Sequence, residues 1–464
     1  MRKWMLLLLT LALLIVPASA QDDMALPDFI ERTACEVDLS GQTITLYHFG
    51  DISASFAPIT QPLLAGLSDA LDYFNVRGGA CGAMIEAVNQ DTAGDLDRTQ
   101  AVYDDFSARD PKPLLLVLYA SPDSELLREQ VIADEIPVVI SAGSVEGLYG
   151  ETGEQAGWIF ATNPLYVNQI GAFCDYVGAN PNQFPDNPTI GYISWPGAFG
   201  QAAFTPESIA HCAEAGVTML ETPEIFLPTA QDVNTNVQNL IDAGANILYT
   251  NTLASGPPVI ARSLVELGYR DEVVIAGVNW VMDSSVGLID QQTRGTNGLP
   301  AVDGVVGSVP FYWWTETSQP GVAFLNEQFA AFAELKGRDA VTQLRLRNIA
   351  YLLGWTTVDL YIELIARAVN EVGAEGLNGA AIKAQLETID YDALGILPTK
   401  FDAETREVRL NRIGRYAFLN ATGDGPATSS ADAMVVPGAG IFLPILVPLS
   451  DFTEVPDLRP GMGE

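Results

Sequence analysis

The sequence predicts an α/β fold with two doubly wound parallel-sheet lobes joined by a three-stranded hinge. Apolar strand-like runs alternate with helical runs along most of the chain, which indicates βαβ units and parallel sheets covered on both faces. The alternation is interrupted at 160–164 and then begins again, so there are two blocks of similar size. A chain of 464 residues is also longer than one hydrophobic core usually covers.

Residues 1–20 have the pattern of an export signal. Two bases, Arg2 and Lys3, precede an apolar run, and small residues precede Gln21, where the mature chain is expected to begin. The apolar run is shorter than the roughly 20 residues of a membrane-spanning helix, and we expect no later stretch to be long and uncharged enough to span a bilayer. The sequence therefore predicts an exported protein, periplasmic or extracellular.

Residues 21–40 are expected to form a short leader, and the first lobe is expected to comprise 41–163 and 310–395. Apolar residues of the first helix recur at helical spacing until Gly78-Gly79 ends it. The predicted strands of this lobe are 43–47, 84–88, 114–118 and 137–140, and its predicted helices are 63–74, 96–106, 124–133, 322–335 and 347–369.

The second lobe is expected to comprise 164–309 and 396–464. Its predicted helices are 168–177, 204–214, 233–243 and 258–267, and its predicted strands are 189–194, 246–250 and 273–276. We expect 304–314 to cross back to the first lobe. The chain from 397 onward is expected to make the third crossing and to add strands to the second lobe, and its last thirty residues are the least readable. Three crossings make a hinge that bends without letting the lobes separate.

The charge of the chain argues against several kinds of partner. There are 58 acidic and 23 basic residues, and the formal net charge is -35. A strongly negative protein repels phosphate backbones, so we expect no nucleic-acid partner. We interpret the acidic residues as a solvated surface rather than a cation site.

The sequence contains few residues or motifs that are typical of catalytic sites. Only two histidines occur, His48 and His211, so a histidine-based zinc site or catalytic triad is not expected. No GxSxG motif is present, and Gly78-Gly79 marks a helix end rather than a phosphate loop. We therefore predict a protein that is not an enzyme, with no cofactor and no metal.

Four cysteines occur in a chain that is expected to be exported to an oxidising compartment, where disulfides persist. Three pairings are possible. We favour Cys35 with Cys81 and Cys174 with Cys212, because each pair then stays within one predicted lobe and leaves the hinge free to move.

The ends of the predicted strands are the expected ligand site, because ligands of open α/β sheets bind beyond the carboxyl ends of the strands. In the first lobe this rule selects the loop from Tyr119, with Ser121 as a helix N-cap, and the loop 141–144. In the second lobe it selects 195–199, the strand end at Asn251 and the strand end at Asn279. Serines in such loops also serve as ordinary helix caps, and aromatic residues there can be core residues.

Several short segments occur in the order found in one known family. They are Ile44–Ser55, Asn75–Gly79, Asn89–Asp91, Asp134–Ser141, Thr162–Pro164 and Lys400–Asp402. No single segment is specific, but the ordered series from about 41 to 425 resembles the leucine/isoleucine/valine-binding proteins of ABC importers and their relatives among type 1 periplasmic binding proteins.

The resemblance implies a function. Members of the family bind an amino acid or a similar small solute between two lobes and deliver it to a membrane permease. We therefore expect a small-molecule ligand (an amino acid, an amide or a small carboxylate), an ABC permease as partner, and a monomer. The alternative is a ligand-sensing subunit for a membrane receptor or histidine kinase, because the same two-lobed shape serves signalling.

The resemblance also assigns roles to residues. It implies that the loop formed by Ser141, Ala142, Gly143 and Ser144 contacts the carboxylate and ammonium groups of the ligand, and the strand-end rule adds Tyr119 and Ser121 as expected first-lobe contacts. From the second lobe, Trp195 and Phe199 are expected to cover the ligand, and Asn251 and Asn279 are expected to contact it.

One position departs from the family pattern. Amino acid binders of the family place a carboxylate near the position aligned with Asn279, where it holds the ammonium group of the ligand. Asn279 is neutral, and a buried ammonium without a counter-charge is costly. Either Asp283 or Asp51 supplies the charge, or the ligand is not a standard amino acid, or the alignment is displaced by one residue.

Overall fold

The protein is represented by a computed structural model that describes residues 25–436 and 440–462. The predicted export signal and its cleavage point lie outside the described residues. The two predicted lobes are present, each built around one sheet with helices packed on it.

Lobe 1 is built on a parallel sheet, as predicted, and the sheet has a fifth strand, Ile159–Ala161, beyond the four that were predicted. The strands are β1 (Thr43–Gly50), β2 (Met84–Asp91), β3 (Leu116–Leu118), β4 (Val138–Ile140) and β5 (Ile159–Ala161), in the order β2-β1-β3-β4-β5. The connecting helices are α1 (Ala57–Asn75), α2 (Leu96–Ser107), α3 (Ser121–Asp134) and α4 (Val145–Tyr149). All residues of β3, β4 and β5 are buried, because helices cover both faces of the sheet.

Lobe 2 repeats this arrangement. Its strands are β6 (Thr189–Ser194), β7 (Thr218–Met219), β8 (Glu224–Ile225), β9 (Ile247–Thr250), β10 (Val274–Gly277) and β11 (Val306–Ser308). Its helices are α5 (Tyr166–Ala179), α6 (Gly197–Gln201), α7 (Pro206–Glu214), α8 (Asn234–Asp242), α9 (Gly256–Leu267) and α10 (Val286–Ile289), and a 3₁₀ turn covers Asn279–Met282. Pairings among these strands are parallel.

The chain then returns to lobe 1. The elements are α11 (Pro320–Leu335), α12 (Ala340–Leu346), α13 (Ile349–Gly376), α14 (Gly379–Leu386), β12 (Asp390–Ala393) and β13 (Leu397–Lys400). Helix α13 crosses α1 so closely that a Cβ at Gly66 would lie 2.2 Å from the Tyr351 carbonyl oxygen. The β12–β13 hairpin lies with lobe 1, because Phe401, which directly follows it, contacts Phe160 of β5. The predicted lobe boundary after 395 falls within this hairpin.

Helix α13 differs from one expectation. Within the described part of the chain it is long and apolar enough, by length and composition, to cross a membrane, although we expected no such stretch. Its residues from Ile349 to Ala366 are nevertheless buried inside lobe 1, where a core helix needs an apolar surface on all sides.

The final segment completes lobe 2 with antiparallel strands. They are β14 (Leu410–Asn411), β15 (Ile413–Phe418), β16 (Val435–Val436), β17 (Ile441–Phe442), β18 (Pro444–Pro448) and β19 (Thr453–Glu454). The lobe 2 sheet has the order β18-β15-β11-β10-β9-β6-β7, with β8 beside β6. The sheet is therefore mixed rather than wholly parallel. Strand β15 follows the third crossing without a crossover helix, and antiparallel strands do not need one.

Three neighbouring segments join the lobes, as predicted. The first and third are bridged in parallel between Ala161 and Glu407. The second and third are joined where the Val309 N–H donates to the Arg412 carbonyl oxygen at 2.8 Å. The predicted disulfides are confirmed, since Cys35 bonds to Cys81 and Cys174 to Cys212.

The end of the chain forms a fourth connection that the sequence did not predict. We call residues 453–462 the C-terminal strap. Strand β19 pairs with β14, and beyond it the Leu458 N–H donates to Asn168 Oδ1 of α5 at 2.8 Å. The Leu458 side chain is buried, and the Arg459 guanidinium lies 4.1 Å from the centre of the Tyr149 ring in lobe 1. The strap therefore contacts both lobes.

Candidate functional site

Five aromatic side chains meet where the lobes face each other. Phe56 and Tyr119 come from lobe 1, and Tyr166, Phe199 and Trp280 come from lobe 2. Between the lobes, ring centroids are 5.9 Å apart for Phe56 and Phe199 and 5.2 Å apart for Tyr119 and Trp280. Within the lobes, Phe56 lies 5.6 Å from Tyr119, and Tyr166 lies 5.3 Å from Phe199. We call this group the interlobe aromatic cluster.

Strand ends position most of the cluster. Tyr119 directly follows β3, and Trp280 lies in the 3₁₀ turn after β10. Phe199 lies in α6, which follows β6. Phe56 precedes α1, and the Asp51 carboxylate fixes its loop by accepting hydrogen bonds from the Ala54 N–H at 2.6 Å and the Phe56 N–H at 2.9 Å. The cluster thus lies where the fold is expected to bind ligands.

The polar atoms of the cluster are only partly paired. Trp280 Nε1 donates to the Tyr166 hydroxyl at 3.0 Å. The Tyr119 hydroxyl is buried and has no hydrogen-bond partner among the described residues. Burial raises the pKa of Tyr119 well above its usual value, so the hydroxyl remains protonated and can both donate and accept.

Ser121 lies beside the cluster but does not cap α3 as predicted. The N-cap is Ala120, and Ser121 is the first helical residue, so the helix begins one residue earlier than expected. The Ser121 side chain is buried next to the Tyr166 hydroxyl and makes no hydrogen bond of normal geometry within the described chain. Its hydroxyl is therefore available to a neighbouring polar group.

The loop 141–144 is tied into lobe 1. The Ser141 carbonyl oxygen accepts from Asn163 Nδ2 at 2.7 Å, and Ala142 is buried. A Cβ at Gly143 would lie 2.5 Å from Leu148 Cδ1, so a larger residue there would require the Leu148 side chain to move. Ser144 caps α4 by accepting from the Gly147 N–H at 3.3 Å, and its hydroxyl donates to Glu125 Oε1 at 2.6 Å.

Ser144 and Glu125 border a crevice between the lobes. The crevice has a volume of about 320 Å³ and is lined by lobe 1, by lobe 2 and by the C-terminal strap, with Glu146 on one side and Glu207 on the other. The Ser144 hydroxyl is already hydrogen-bonded to Glu125 and to the Gly147 N–H. Its predicted role in holding a ligand stays a prediction.

Asn251 and Trp195 support Phe199. Asn251 Nδ2 donates to the Phe199 carbonyl oxygen at 2.6 Å, and the Asn251 N–H donates to Ser194 Oγ at 3.1 Å. The Trp195 ring lies 6.1 Å from the Phe199 ring. These contacts fix α6 against the ends of β6 and β9, and they place the Phe199 ring in the cluster.

Asn279 forms a reciprocal pair with Gln169 of α5. The Asn279 N–H donates to Gln169 Oε1 at 2.8 Å, and Gln169 Nε2 donates to Asn279 Oδ1 at 3.1 Å. The second nitrogen of the Asn279 side chain, Nδ2, is buried without a partner in the described part of the chain.

Asp51 and Asp283, the two acids considered as counter-charges, have backbone partners instead. Asp51 holds the loop before α1. Asp283 Oδ1 accepts from the Ser285 N–H at 2.8 Å, and Oδ2 accepts from the Ile349 N–H at 3.0 Å. Burial raises the pKa of Asp283. Both carboxylates therefore stabilise loops and helix ends near the cluster.

The described residues hold no group of three or more His, Cys, Asp and Glu side chains arranged to bind a metal ion. Burial lowers the pKa of His48 to about 4, and His211 pairs with Asp175 at 2.9 Å. Both ring nitrogens of His48 are buried and make no hydrogen bond of normal geometry within the described part of the chain.

Three residues of the cluster were not among the predicted site residues: Phe56, Tyr166 and Trp280. Trp280 adjoins Asn279 and could have been found from the strand-end rule. Tyr166 follows the first crossing, and Phe56 lies six residues beyond the end of β1. No pattern in the sequence distinguishes these two from core aromatics.

Comparisons with known proteins agree with this fold. A family model described as "Periplasmic binding protein" matches residues 43–422. No curated protein matches the chain. Among solved structures, a branched chain amino acid ABC transporter from Thermus thermophilus with bound valine aligns with a TM-score of 0.69 at 16% identity, covering 89% of this chain and 98% of that one.

Two further structures are similar. A fatty acid ABC transporter substrate-binding protein from Thermomonospora curvata aligns with a TM-score of 0.68 at 15% identity, covering 92% of this chain and 97% of that one. A solute binding protein of an ABC transporter from Rhodopseudomonas palustris BisB5, in complex with 3,4-dihydroxy benzoic acid, aligns with a TM-score of 0.65 at 15% identity, covering 90% and 99%. At these identities the similarity is one of fold.

Proposed function

The chain belongs to the type 1 periplasmic binding protein family, and we propose that it is the solute-binding protein of an ABC importer, capturing an amino acid or a related small polar solute between its lobes. The observation that carries the proposal is the interlobe aromatic cluster, in which rings from both lobes pack against one another and the buried Tyr119 hydroxyl has no hydrogen-bond partner among the described residues. A buried hydroxyl without a partner costs free energy, and a ligand that bonds to it removes that cost.

Capture depends on closure of the lobes. In an open form, the solute contacts Tyr119 and Ser121 of lobe 1 first. Closure then adds Phe199 and Trp280, so that the full set of contacts exists only in the closed form. Affinity therefore depends on the free energy of closure as well as on the contacts with each lobe.

The location of the protein supports this role. Two disulfides within the described chain fit an oxidising compartment outside the cytoplasm. The closed monomer then docks on a membrane permease, which takes the solute. The similar structures are ABC transporter proteins, and two of them hold valine and 3,4-dihydroxy benzoic acid.

Calorimetry and scattering test the proposal together. Amino acids, carboxamides and short carboxylates are titrated into the protein, and the radius of gyration is measured with each compound. We expect at least one compound to release or absorb heat and to reduce the radius of gyration. A broad panel that gives neither heat nor compaction would refute the proposed function. The Phe199→Ala variant is expected to weaken binding, and Phe173→Leu, at a core position of α5, serves as the control for general stability.

A further inference from the structure

We propose that the solute has an apolar body and oxygen acceptors, as in a carboxylate or a carboxamide, and that it carries no ammonium group where it meets lobe 2. The inference rests on the proposed function and narrows its substrate class. The observation that carries it is the fixed orientation of the Asn279 side chain.

Gln169 determines which way the Asn279 amide points. Gln169 Nε2 donates to the Pro164 carbonyl oxygen at 2.8 Å, and Gln169 Oε1 accepts from the Asn279 N–H. These two contacts fix the Gln169 amide, so its nitrogen is the atom that faces Asn279. Asn279 Oδ1 must therefore be the atom that accepts from it, at 3.1 Å, and Asn279 Nδ2 is left as a donor.

The residue that carries this donor directly precedes Trp280 of the cluster. Asn279 is fully buried at the carboxyl end of β10, and the following residue, Trp280, contacts Tyr119 across the lobes. An unpaired buried N–H costs free energy, which an oxygen acceptor on the solute would remove. An ammonium group has three N–H donors and no acceptor, so it cannot pair with Asn279 Nδ2.

The acidic residues near the cluster have their carboxylate oxygens engaged by other donors, which leaves an ammonium group few hydrogen-bond acceptors. Each oxygen of Asp51 and Asp283 already accepts from a backbone N–H. The Asp123 carboxylate accepts from Thr99 Oγ1 on α2 at 2.8 Å, so it faces that helix rather than lobe 2. A buried ammonium near the cluster would thus meet no carboxylate oxygen of Asp51 or Asp283 that is free of a backbone N–H donor.

The same acids bear on the choice between a carboxylate and a carboxamide. Asp51 and Asp283 place negative charge close enough to the Tyr119 hydroxyl to contribute to its raised pKa. That charge disfavours a carboxylate relative to a neutral carboxamide, and it favours an ammonium, so the case against an ammonium depends on hydrogen bonding at Asn279 and not on charge. The five rings provide the apolar surface for the body of either compound.

Matched compounds test the inference by calorimetry. One series is phenylalanine, 3-phenylpropanoate and 3-phenylpropanamide, and the other is valine, 3-methylbutanoate and 3-methylbutanamide. We expect the compounds without the amino group to bind at least about tenfold more tightly than the amino acids. Amino acids that bind as tightly as their deaminated partners overturn the inference and leave the proposed function standing. If none of the six compounds binds and none reduces the radius of gyration, both the inference and the proposed function are overturned.

A substitution tests the assigned residue. Asn279→Asp replaces the donor by a carboxylate oxygen, so we expect it to shift the ratio of affinities about tenfold toward the amino acids. The matched control is Asn246→Asp, which adds the same charge at the opposite end of the sheet, where Asn246 Oδ1 accepts from the Thr189 N–H at 2.8 Å. A ratio that does not change in Asn279→Asp, or that changes equally in Asn246→Asp, contradicts the assignment. If Asn279→Asp does not fold, the affinities of the wild-type protein for the six matched compounds still test the inference.

Discussion

The Asp283 carboxylate of lobe 2 accepts a hydrogen bond from the Ile349 backbone N–H of lobe 1, at 3.0 Å, where the longest helix of the described chain begins. Asn348 caps the same helix, with Oδ1 accepting from the Ala350 and Tyr351 N–H groups. A carboxylate at a helix N-terminus is favoured by the helix dipole. The contact therefore holds the two lobes together close to the interlobe aromatic cluster.

Removal of this contact tests its role in closure. Asp283→Ala leaves the buried Ile349 N–H without its partner, so we expect a loss of about 1 to 3 kcal/mol in the free energy of unfolding. We also expect weaker solute binding, because closure loses an interlobe contact. Urea unfolding and calorimetry measure the two effects.

The control for this variant is Asp339→Ala. Asp339 caps α12 within lobe 1, where its side chain accepts from the Thr342 N–H at 2.7 Å. Its loss is expected to cost about 1 kcal/mol and to leave solute affinity unchanged. If both variants bind solute as the wild type does, the Asp283 contact plays no part in closure.

The Tyr119 hydroxyl gives a direct test of the site. Tyr119→Phe keeps the ring in the cluster and removes an unpaired buried hydroxyl. We expect the melting temperature to stay the same or rise slightly, while solute affinity falls about tenfold because a ligand hydrogen bond is lost. Tyr166→Phe is the matched variant, since the Tyr166 hydroxyl already accepts from Trp280. Unchanged affinity in Tyr119→Phe would place the solute elsewhere.

The C-terminal strap is expected to contribute to stability. Leu458 is buried against both α5 and residues of lobe 1, and Leu458→Ala is expected to cost about 2 to 4 kcal/mol. Glu454→Ala, at an exposed position of the same strap, should cost less than about 0.5 kcal/mol. Urea unfolding of both variants measures the difference. Equal stabilities would show that the strap does not contribute to the folded state in solution.

Glu407 at the hinge predicts a pH dependence of stability. It is fully buried, accepts from the Leu165 N–H and from Asn168 Nδ2, and burial raises its pKa from 4.5 to about 7. The folded protein therefore binds a proton more readily than the unfolded chain between about pH 4.5 and pH 7. The stability that this proton contributes is complete below pH 4.5 and is lost as the pH rises through 7.

Glu407→Gln isolates this contribution. Relative to the variant, the wild type should lose on the order of 2 to 3 kcal/mol of stability between pH 4.5 and pH 8. Chemical unfolding of both proteins at several pH values measures this difference. A difference that is constant with pH, or that changes in the opposite direction, would contradict the assignment of the proton to Glu407.

The features that could be predicted from the sequence are those that depend on neighbouring segments. Parallel strands such as β3 and β4 appear as short apolar runs between helices, and the disulfides follow from keeping each pair within one lobe. Tyr119 was selected because it lies just beyond a strand, and Phe199 because its loop follows a strand and resembles the family loop; both rings lie in the interlobe aromatic cluster, and their role in binding stays a prediction.

The features that could not be predicted depend on distant contacts. Leu458 bonds to Asn168 across 290 residues of sequence, and no local pattern indicates that pairing. The orientation of Asn279 likewise depends on Gln169, 110 residues earlier. The antiparallel pairing of β15 with β11 was missed because the residues of a short strand do not indicate whether it pairs in parallel or antiparallel.

An interlobe distance measurement tests solute capture most directly. All cysteines of the described chain are in disulfides, so spin labels at Glu146→Cys and Glu207→Cys, on opposite sides of the crevice, report on lobe separation. With a compound that calorimetry shows to bind, the label distances should shorten and their distribution should narrow. An identical distribution with and without that compound would contradict capture between the lobes.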